Sequence, residues 1–545
     1  MIGAATSAPA RSQAPSALGG WNVYFVLKLV LLWRGLIDFH PVANLLFFAI
    51  LALPLPQPVL RRARLLLALP LAVVLLYYDS YLPPIGRLFT HASELAGFSG
   101  SYLLELLGRF VDARVVALLG VVALTLLLTR HFIRVSVLVL TIMLTLALVR
   151  LPLFAPRAAT ILAAETPRTG RSAAAGAHLT EGGSNAELSR ILDRFYASQA
   201  RQVVHFPTPD GTQLPFDLLF IHVCSLSWDD MEAAGLQLHP LWKSFDIVFR
   251  HFNSAATYSG PAAVRINRAT CGQTSNDGLY APAAEQCYLM PSLRRAGFDI
   301  NFALNHDGHF DDFLQLVRQQ GVQAEPLSLT GLPVAMKGFD DSAIEDDAAV
   351  LARWRTLRAT SPASRSALYY NTVTLHDGNR IVGAPGMNTL ESYKFRLTRL
   401  FDEVEALMQS LAAGSRRTVV ILVPEHGAAL RGDRLQIAGL REIPTPAITT
   451  VPVGIRIIDP TASAEHDTAY VDTPSSFLAL SQLIARMLEN SPYGPAPFDP
   501  KPYVKDLPVT DFVAENQSVV MRVDDRYFWR EDKSNWRPFP LGVNR

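Results

Sequence analysis

Apolar residues follow two different rhythms along this chain. Before about residue 153 they form long runs, at 22–37, 41–53, 65–78, 113–129 and 135–153. Each run reads as a membrane span, which gives a helical membrane domain of about five spans over 21–154. The first two runs are short and share the break Asp38-Phe39-His40-Pro41, and Lys28 and Arg34 interrupt the first. A re-entrant or interfacial hairpin is the alternative for that pair. After about residue 187 the runs shorten and alternate with amphipathic stretches. Strands are expected at 216–223, 247–252, 299–303, 367–373, 418–423 and 451–458, and several of these are continuously apolar. Helical spacing falls between them, at 282–296, 310–320, 348–357, 389–413 and 475–487. Continuous apolar strands separated by helices predict an α/β/α sandwich on a mainly parallel sheet, over 187–545.

Residues 1–20 are small and polar and are expected to be disordered. Residues 155–186 are rich in Ala, Gly, Thr and Ser and read as a flexible linker. Basic residues orient the spans. Arg61, Arg62 and Arg64 flank the third run, and Arg130 and Arg134 lie between the fourth and fifth. By the positive-inside rule both loops are cytoplasmic. Segment 79–111 is then outside, with an amphipathic stretch at 102–111 suited to the interface, and everything after 154 is outside too. In a bacterial cell this means a multi-pass protein of the inner membrane with a periplasmic domain.

Composition agrees with that division. The 545 residues are 50% hydrophobic and 18% charged, and the apolar excess lies in the first part. A net charge of +1 leaves no polybasic signal, so no nucleic-acid partner is expected.

In sheets of this kind chemistry gathers at the carboxyl ends of the strands. There the chain places Cys224, Asn305-His306, His376 and Glu425-His426. Ser259 follows the run at 247–252, in a Ser-Gly-Pro join that opens a helix-like segment at Ala262. A serine there can be an N-cap, or a hydroxyl placed at the positive end of a helix where a phosphoryl group binds. Cys224, Glu425, His426 and the Ser259 oxygen together make a donor set suited to Zn²⁺ rather than Mg²⁺ or Ca²⁺. Such an ion would turn Ser259 into a nucleophile. His376 or His306 could protonate a leaving alkoxide, and Arg441 could hold a phosphate oxygen. Asn305 and His306 are expected to face the substrate. The outside location permits a disulfide between Cys271 and Cys287, worth about 3 kcal/mol in the chain-entropy model, with two free thiols as the alternative.

The stretches VCSLSWDD, FNSAATYSGPAAVRINRATCGQTS, LHDGN, VPEHGAALRGDR and GLREIP resemble the membrane-bound cellulose phosphoethanolamine transferases of bacterial cellulose synthesis systems. The amino-terminal GWNVYFVLKLVLLWRGLIDFHPVANLL shares the likeness. The resemblance implies an alkaline phosphatase-type domain. It implies Ser259 as nucleophile, Cys224, Glu425, His426 and Ser259 around zinc, and His376 as a catalytic helper. It places Tyr258 and Arg441 along the site and pairs Cys271 with Cys287. The implied donor is phosphatidylethanolamine, the acceptor is the glucose 6-hydroxyl of nascent cellulose, and the implied membrane partners are cellulose synthase subunits. Two other functions fit the same features. One is a metal-dependent phosphoester or sulfate-ester hydrolase, although the sulfatase pattern needs an arginine that Ser259-Gly-Pro261-Ala-Ala263 lacks. The other is a non-catalytic scaffold for the synthase.

Overall fold

A computed structural model describes residues 18–34, 37–80, 100, 113–129, 134–149 and 184–539, apart from 210, 212, 385, 386, 388, 462–466, 496 and 533. The expectations for 1–17, 102–111 and 155–183 fall outside these residues. The chain divides into two compact units, one formed by 1–96 with 100–176 and one by 97–99 with 177–545.

The first unit is helical. Helices α1 (Trp21–Trp33), α2 (Pro41–Ala52), α3 (Pro58–Asp79), α4 (Ala113–Thr129) and α5 (Val135–Val149) coincide with the five apolar runs. Among the described residues four of them have 13, 12, 17 and 15 residues. A single helix needs about 20 residues to cross a bilayer. The fifth and longest, α3, has 22 residues but carries Arg61, Arg62 and Arg64 near its start. Among the described residues no helix is long and apolar enough to cross a membrane. The helices therefore lie where the apolar runs predict them. Lys28, which interrupts the first run, is buried. Its ammonium lies 2.5 Å from Asp79 and 2.8 Å from the Asn44 side-chain oxygen. His40 and Asn44 complete the shell of Asp79. Outward-facing Leu66, Leu67, Leu69 and Val73 are exposed.

The second unit is built on a seven-stranded sheet, ordered β10-β2-β9-β8-β1-β6-β3. Its strands are β1 (Asp217–Val223), β2 (Ile247–Asn253), β3 (Asp299–Leu304), β6 (Ser366–Thr372), β8 (Thr418–Pro424), β9 (Thr450–Ile458) and β10 (Ala469–Val471). Every residue of β1, β6 and β8 is buried, as strands covered on both faces require. Alternate residues of β1 face opposite layers. Leu218 and Phe220 join the core beneath α8 (Ser259–Asn267), α9 (Leu289–Arg295), α10 (Phe313–Gln319) and α13 (Phe477–Glu489). Leu219 and Ile221 join the core beneath α7 (Trp228–Ala234), α11 (Asp347–Thr360) and α12 (Thr389–Ala412).

The sheet is mixed. β9 runs antiparallel to both β2 and β8, and the other pairings are parallel. Because β9 is antiparallel to both of its neighbours, β2 points the same way as β8 and β1, so Ser259 still emerges at the reactive edge. The expected helix at 282–296 is broken into a 3₁₀ turn, Glu285–Cys287, and α9. Cys287 at that break is bonded to Cys271. A second, antiparallel sheet was not anticipated. It comprises β11 (Val513–Glu515), β12 (Ser518–Val523), β13 (Arg526–Glu531) and β14 (Arg537–Pro538), and packs on α6 (Asn185–Gln199) through Leu188, Leu192 and Phe195. A small third sheet joins β4 (Val334–Lys337), β5 (Ala343–Glu345) and β7 (Arg380–Ile381).

Candidate metal centre and active site

Strand register explains why distant residues converge. Val223 pairs with Thr372 on one side and Pro424 on the other. The next residue on each strand, Cys224, Val373 and Glu425, therefore leaves the sheet at the same level. Cys224 N–H donates to the Thr372 carbonyl at 2.9 Å, and Glu425 N–H to the Val223 carbonyl at 2.8 Å. Beyond this point Asp230 ties the two reactive loops together. Its carboxylate accepts from the Ser227 hydroxyl at 2.7 Å and from the N–H groups of Ala428 at 2.7 Å and Leu430 at 3.2 Å. Gly427 lies in this seam. A Cβ there would sit 2.6 Å from Ser227 Oγ and 2.7 Å from Asp230 Oδ2, so only glycine fits. Ser225, next to Cys224, holds a left-handed φ of 65°. The Tyr393 hydroxyl of α12 donates to its carbonyl at 2.7 Å and pins that conformation.

Cys224 Sγ, a Glu425 oxygen and a His426 nitrogen lie within 4.8 Å of one another, all buried. His426 Nδ1 is 2.9 Å from the Gly427 carbonyl, which can only accept, so Nδ1 carries the hydrogen and Nε2 keeps its lone pair. The 3.4 Å approach of Arg441 Nη1 to that Nδ1 is then a contact between two donors, not a hydrogen bond. His426 Nε2 and Glu425 Oε2 are 3.6 Å apart, and neither has a protein partner. Orphaned buried polar atoms are rare because each forfeits its hydration. A cation would satisfy both at once, together with the thiol. The donor set therefore fits a metal ion.

Electrostatics point the same way. Burial pushes the Cys224 thiol up to about 12, and the Glu425 charge adds to the effect. Burial also raises the Glu425 carboxyl, against the pull of Ser259, Asn371 and Cys224 beside it. Burial first, and then the Arg441 charge, hold His426 well below the ordinary imidazole range. Each shift disfavours charge in a dry pocket, and a bound cation would reverse those acting on the thiol and carboxyl.

Ser259 is the first residue of α8, and its N-cap is Tyr258, so the serine is not the cap. Its Oγ lies 3.4 Å from Cys224 Sγ, at the mouth of the cluster. No side chain caps α8, which leaves the positive end of the helix facing the hydroxyl. Arg441 is buried, donates to Ser225 Oγ at 3.1 Å, and lies 5.2 Å from the Tyr258 ring centre. The Tyr258 hydroxyl donates to Glu442 at 2.7 Å. His376 Nδ1 contacts the Asp377 carbonyl at 2.7 Å, so its Nε2 is also an acceptor. Burial, then Arg441, push His376 down to about 4. Arg396 of α12 braces this loop through the carbonyls of Thr374 and His376.

Asn305 and His306 take other places than the substrate-facing ones expected. The Asn305 amide is fully buried and donates to Thr372 and Thr374, while its oxygen accepts from Val373 N–H. It braces the loop after β6. His306 Nδ1 accepts from Gly308 N–H at 3.1 Å, so Nε2–H donates to Asn371 Oδ1 at 3.0 Å. The Asn371 amide in turn donates to Glu425 Oε1 at 2.6 Å. This relay aims the other carboxylate oxygen, Oε2, into the cluster. Sequence reasoning missed Asn371 and His222. His222 is buried, 3.6 Å from Glu425 Oε1, and burial pushes it down to about 3. The available signal was one polar residue inside each of two apolar runs, LLFIHV and ALYYNT.

Comparison with known proteins follows the same division of the chain. Residues 172–536 match the family described as cellulose biosynthesis protein BcsG C-terminal domain, and residues 21–148 match its N-terminal domain. The cellulose biosynthesis protein BcsG of Escherichia coli (strain K12) is 41% identical over 542 residues, covering 96% of both chains. That of Salmonella typhimurium (strain LT2) is 40% identical over the same length and coverage. Among solved structures, a protein in the alkaline phosphatase superfamily from Vibrio parahaemolyticus aligns with a TM-score of 0.45 at 10% identity, over 65% of this chain and 91% of that one. With both halves matched and two fifths of its residues shared with full-length relatives, the chain belongs to the BcsG family of cellulose biosynthesis proteins.

Proposed function

We propose that this protein is a phosphoethanolamine transferase that moves the group from phosphatidylethanolamine to glucose 6-hydroxyls of nascent cellulose through phospho-Ser259. One observation carries the reading: a serine hydroxyl at an uncapped helix start lies 3.4 Å from the thiol of a metal-fit cluster. Family membership in cellulose biosynthesis supports the acceptor.

Ser259 Oγ attacks phosphorus, and the bond from phosphorus to the diacylglycerol oxygen breaks. The serine proton ends on that oxygen, and diacylglycerol leaves. A glucose 6-hydroxyl then attacks the phosphoserine, giving its proton to His376 Nε2. The bond between Ser259 Oγ and phosphorus breaks, and the proton passes from His376 to the serine oxygen. The uncapped amide groups of α8 and the Arg441 guanidinium face the phosphoryl charge. A Zn²⁺ held by Cys224, Glu425, His426 and the Ser259 oxygen would lower the serine pKa and draw charge from the phosphoryl oxygens.

The exposed apolar surface of the helical unit and the Arg61, Arg62 and Arg64 cluster near the start of α3 support anchorage in a bacterial inner membrane, next to the lipid donor and cellulose synthase subunits. The Cys271–Cys287 disulfide supports an oxidising periplasm for the catalytic domain. Mass spectrometry of the full chain in detergent, after incubation with phosphatidylethanolamine, tests the proposal. The expected result is one phosphoethanolamine on Ser259, absent in Ser259→Ala. Phosphoethanolamine release to water at a rate indifferent to added glucan would make the protein a hydrolase. Undiminished cellulose modification in cells carrying Ser259→Ala would make it a scaffold.

A further inference from the structure

We propose that Tyr280 and Phe310 form the landing surface on which the β-1,4-glucan acceptor is held beside Ser259. The inference rests on the transferase reading above and adds the acceptor site to it.

Two chain segments meet at Gly260, the residue after the nucleophile. A Cβ built on Gly260 would lie 3.5 Å from the Tyr280 hydroxyl, 3.6 Å from Leu316 and 3.7 Å from Asp311 Oδ2. Tyr280 follows α8, and Asp311 lies in the loop after β3, beside Phe310. Both rings face solvent: Tyr280 is 54% exposed and Phe310 40%. Exposed aromatic rings surrender solvation gains that a buried position would keep, so a pair on the two segments that meet at Gly260 points to a ligand.

Phe310 is also propped in place. Phe339 packs edge-on against it, with ring centres 4.7 Å apart, and stacks obliquely on His376 at 5.0 Å. The row runs from the exposed ring to the imidazole that takes the acceptor's proton. Asp311 and Asp312 hold successive left-handed φ values of 53° and 49°, a conformation that non-glycine residues seldom adopt.

The chemistry of the acceptor matches this surface. Each glucose of a β-1,4-glucan presents axial C–H bonds on its two faces and hydroxyls around its equator. Flat rings complement the faces. The Tyr280 hydroxyl, at the level of Gly260, complements the rim. A chain lying across both rings would present a 6-hydroxyl to the phosphoserine one residue away.

The test uses the full chain in detergent with phosphatidylethanolamine and cellohexaose. Tyr280→Ala and Phe310→Ala should each raise the KM for cellohexaose about tenfold, the loss expected for one aromatic contact. Phe310→Tyr, which keeps the ring, should stay within about twofold of the parent, and Tyr280→Phe, which keeps the ring but loses the hydroxyl, should fall between the parent and the alanine variant. Diacylglycerol release without glucan reports separately that each variant is folded and takes up donor. An unchanged KM in both alanine variants, or a fall in kcat with KM unmoved, would overturn the proposal. If the parent forms no adduct on Ser259, the transferase reading fails instead. Cellohexaose binding by calorimetry then decides the surface alone: weakening in the alanine variants upholds it, and equal binding sinks it.

Discussion

Asp217 and Glu425 are buried carboxylates on neighbouring strands, at opposite edges of one sheet. At the amino edge Asp217 accepts from Arg358 Nε at 2.9 Å, from Arg358 Nη2 at 2.8 Å and from Ser366 N–H at 2.8 Å. At the carboxyl edge Glu425 Oε1 accepts from Asn371, and Oε2 has no partner. The same chemical group is closed at one edge and open at the other. Closure reads as stability. Openness, beside a thiol and an imidazole lone pair, reads as a place kept for something else. The buried Lys28–Asp79 pair of the helical unit belongs with the closed kind, since Asn44 and His40 complete it.

The largest expected effect tests the open end. Glu425→Gln keeps shape but loses the charge that faces the thiol. Zinc content by mass spectrometry should fall to trace, and transfer should drop at least about 10³-fold, the several kcal/mol a metal supplies to charge stabilisation. Metal-free stability should hold or rise, because an ill-satisfied buried acid has gone. A metal-free variant that melts well below the metal-free parent would break the comparison, since Glu425 would then be structural. Asp217→Asn should behave the other way. It strands a buried guanidinium, and denaturant unfolding should show a loss of about 3–5 kcal/mol. Zinc per folded chain should not change.

A smaller effect tests the relay between the edges of the cluster. Asn371→Ala leaves every ligand in place but frees Glu425 Oε1. Zinc affinity, measured by chelator competition, should weaken about 10–100-fold, as for other groups that orient a ligand. Unchanged affinity would mean that the Asn371 bond does not aim the carboxylate.

The open end was the more legible of the two in sequence. Cys224, Glu425 and His426 stand out because polar residues follow apolar runs there, and a parallel sheet brings such ends together. Asn371 and His222 do not stand out, because one polar residue inside a strand gains its meaning only from register. The reversal of β9 was also hidden: a continuous apolar run reads the same in either direction. The sheet of β11–β14 did carry a signal in the alternation of SVVMRV and RYFWRE, with Val519, Met521 and Phe528 turned to the α6 core. Helix 282–296 reads as unbroken from its spacing, since periodicity does not register the Cys271–Cys287 bond that meets its break.

The finest distinction concerns what His376 does at the open end. Its Nδ1 hydrogen is held by the Asp377 carbonyl, so only Nε2 has a lone pair open to a proton. Burial, then Arg441, push the imidazole down to about 4, so at neutral pH it is uncharged and suited to take a proton. As a base it must be neutral to act. The kcat/KM for glucan should therefore stay level from pH 8 down to about 5 and fall only as the pH drops through the depressed value. As an acid it would need its proton, and the rate would fall about tenfold per unit as pH rose above 4. Arg441→Gln removes the second cause of the depression, so the acid limb of the parent profile should move towards higher pH. Zinc content measured at each pH separates this limb from loss of the metal. The stability consequence has a fixed sign. An imidazole with a lowered folded pKa binds fewer protons in the folded state between about 4 and the ordinary value near 6.5, so its contribution is full above that window and is lost as pH falls through it. His376→Gln should flatten both curves. A profile whose acid limb stays at the same pH without the imidazole would assign the proton transfer to another group.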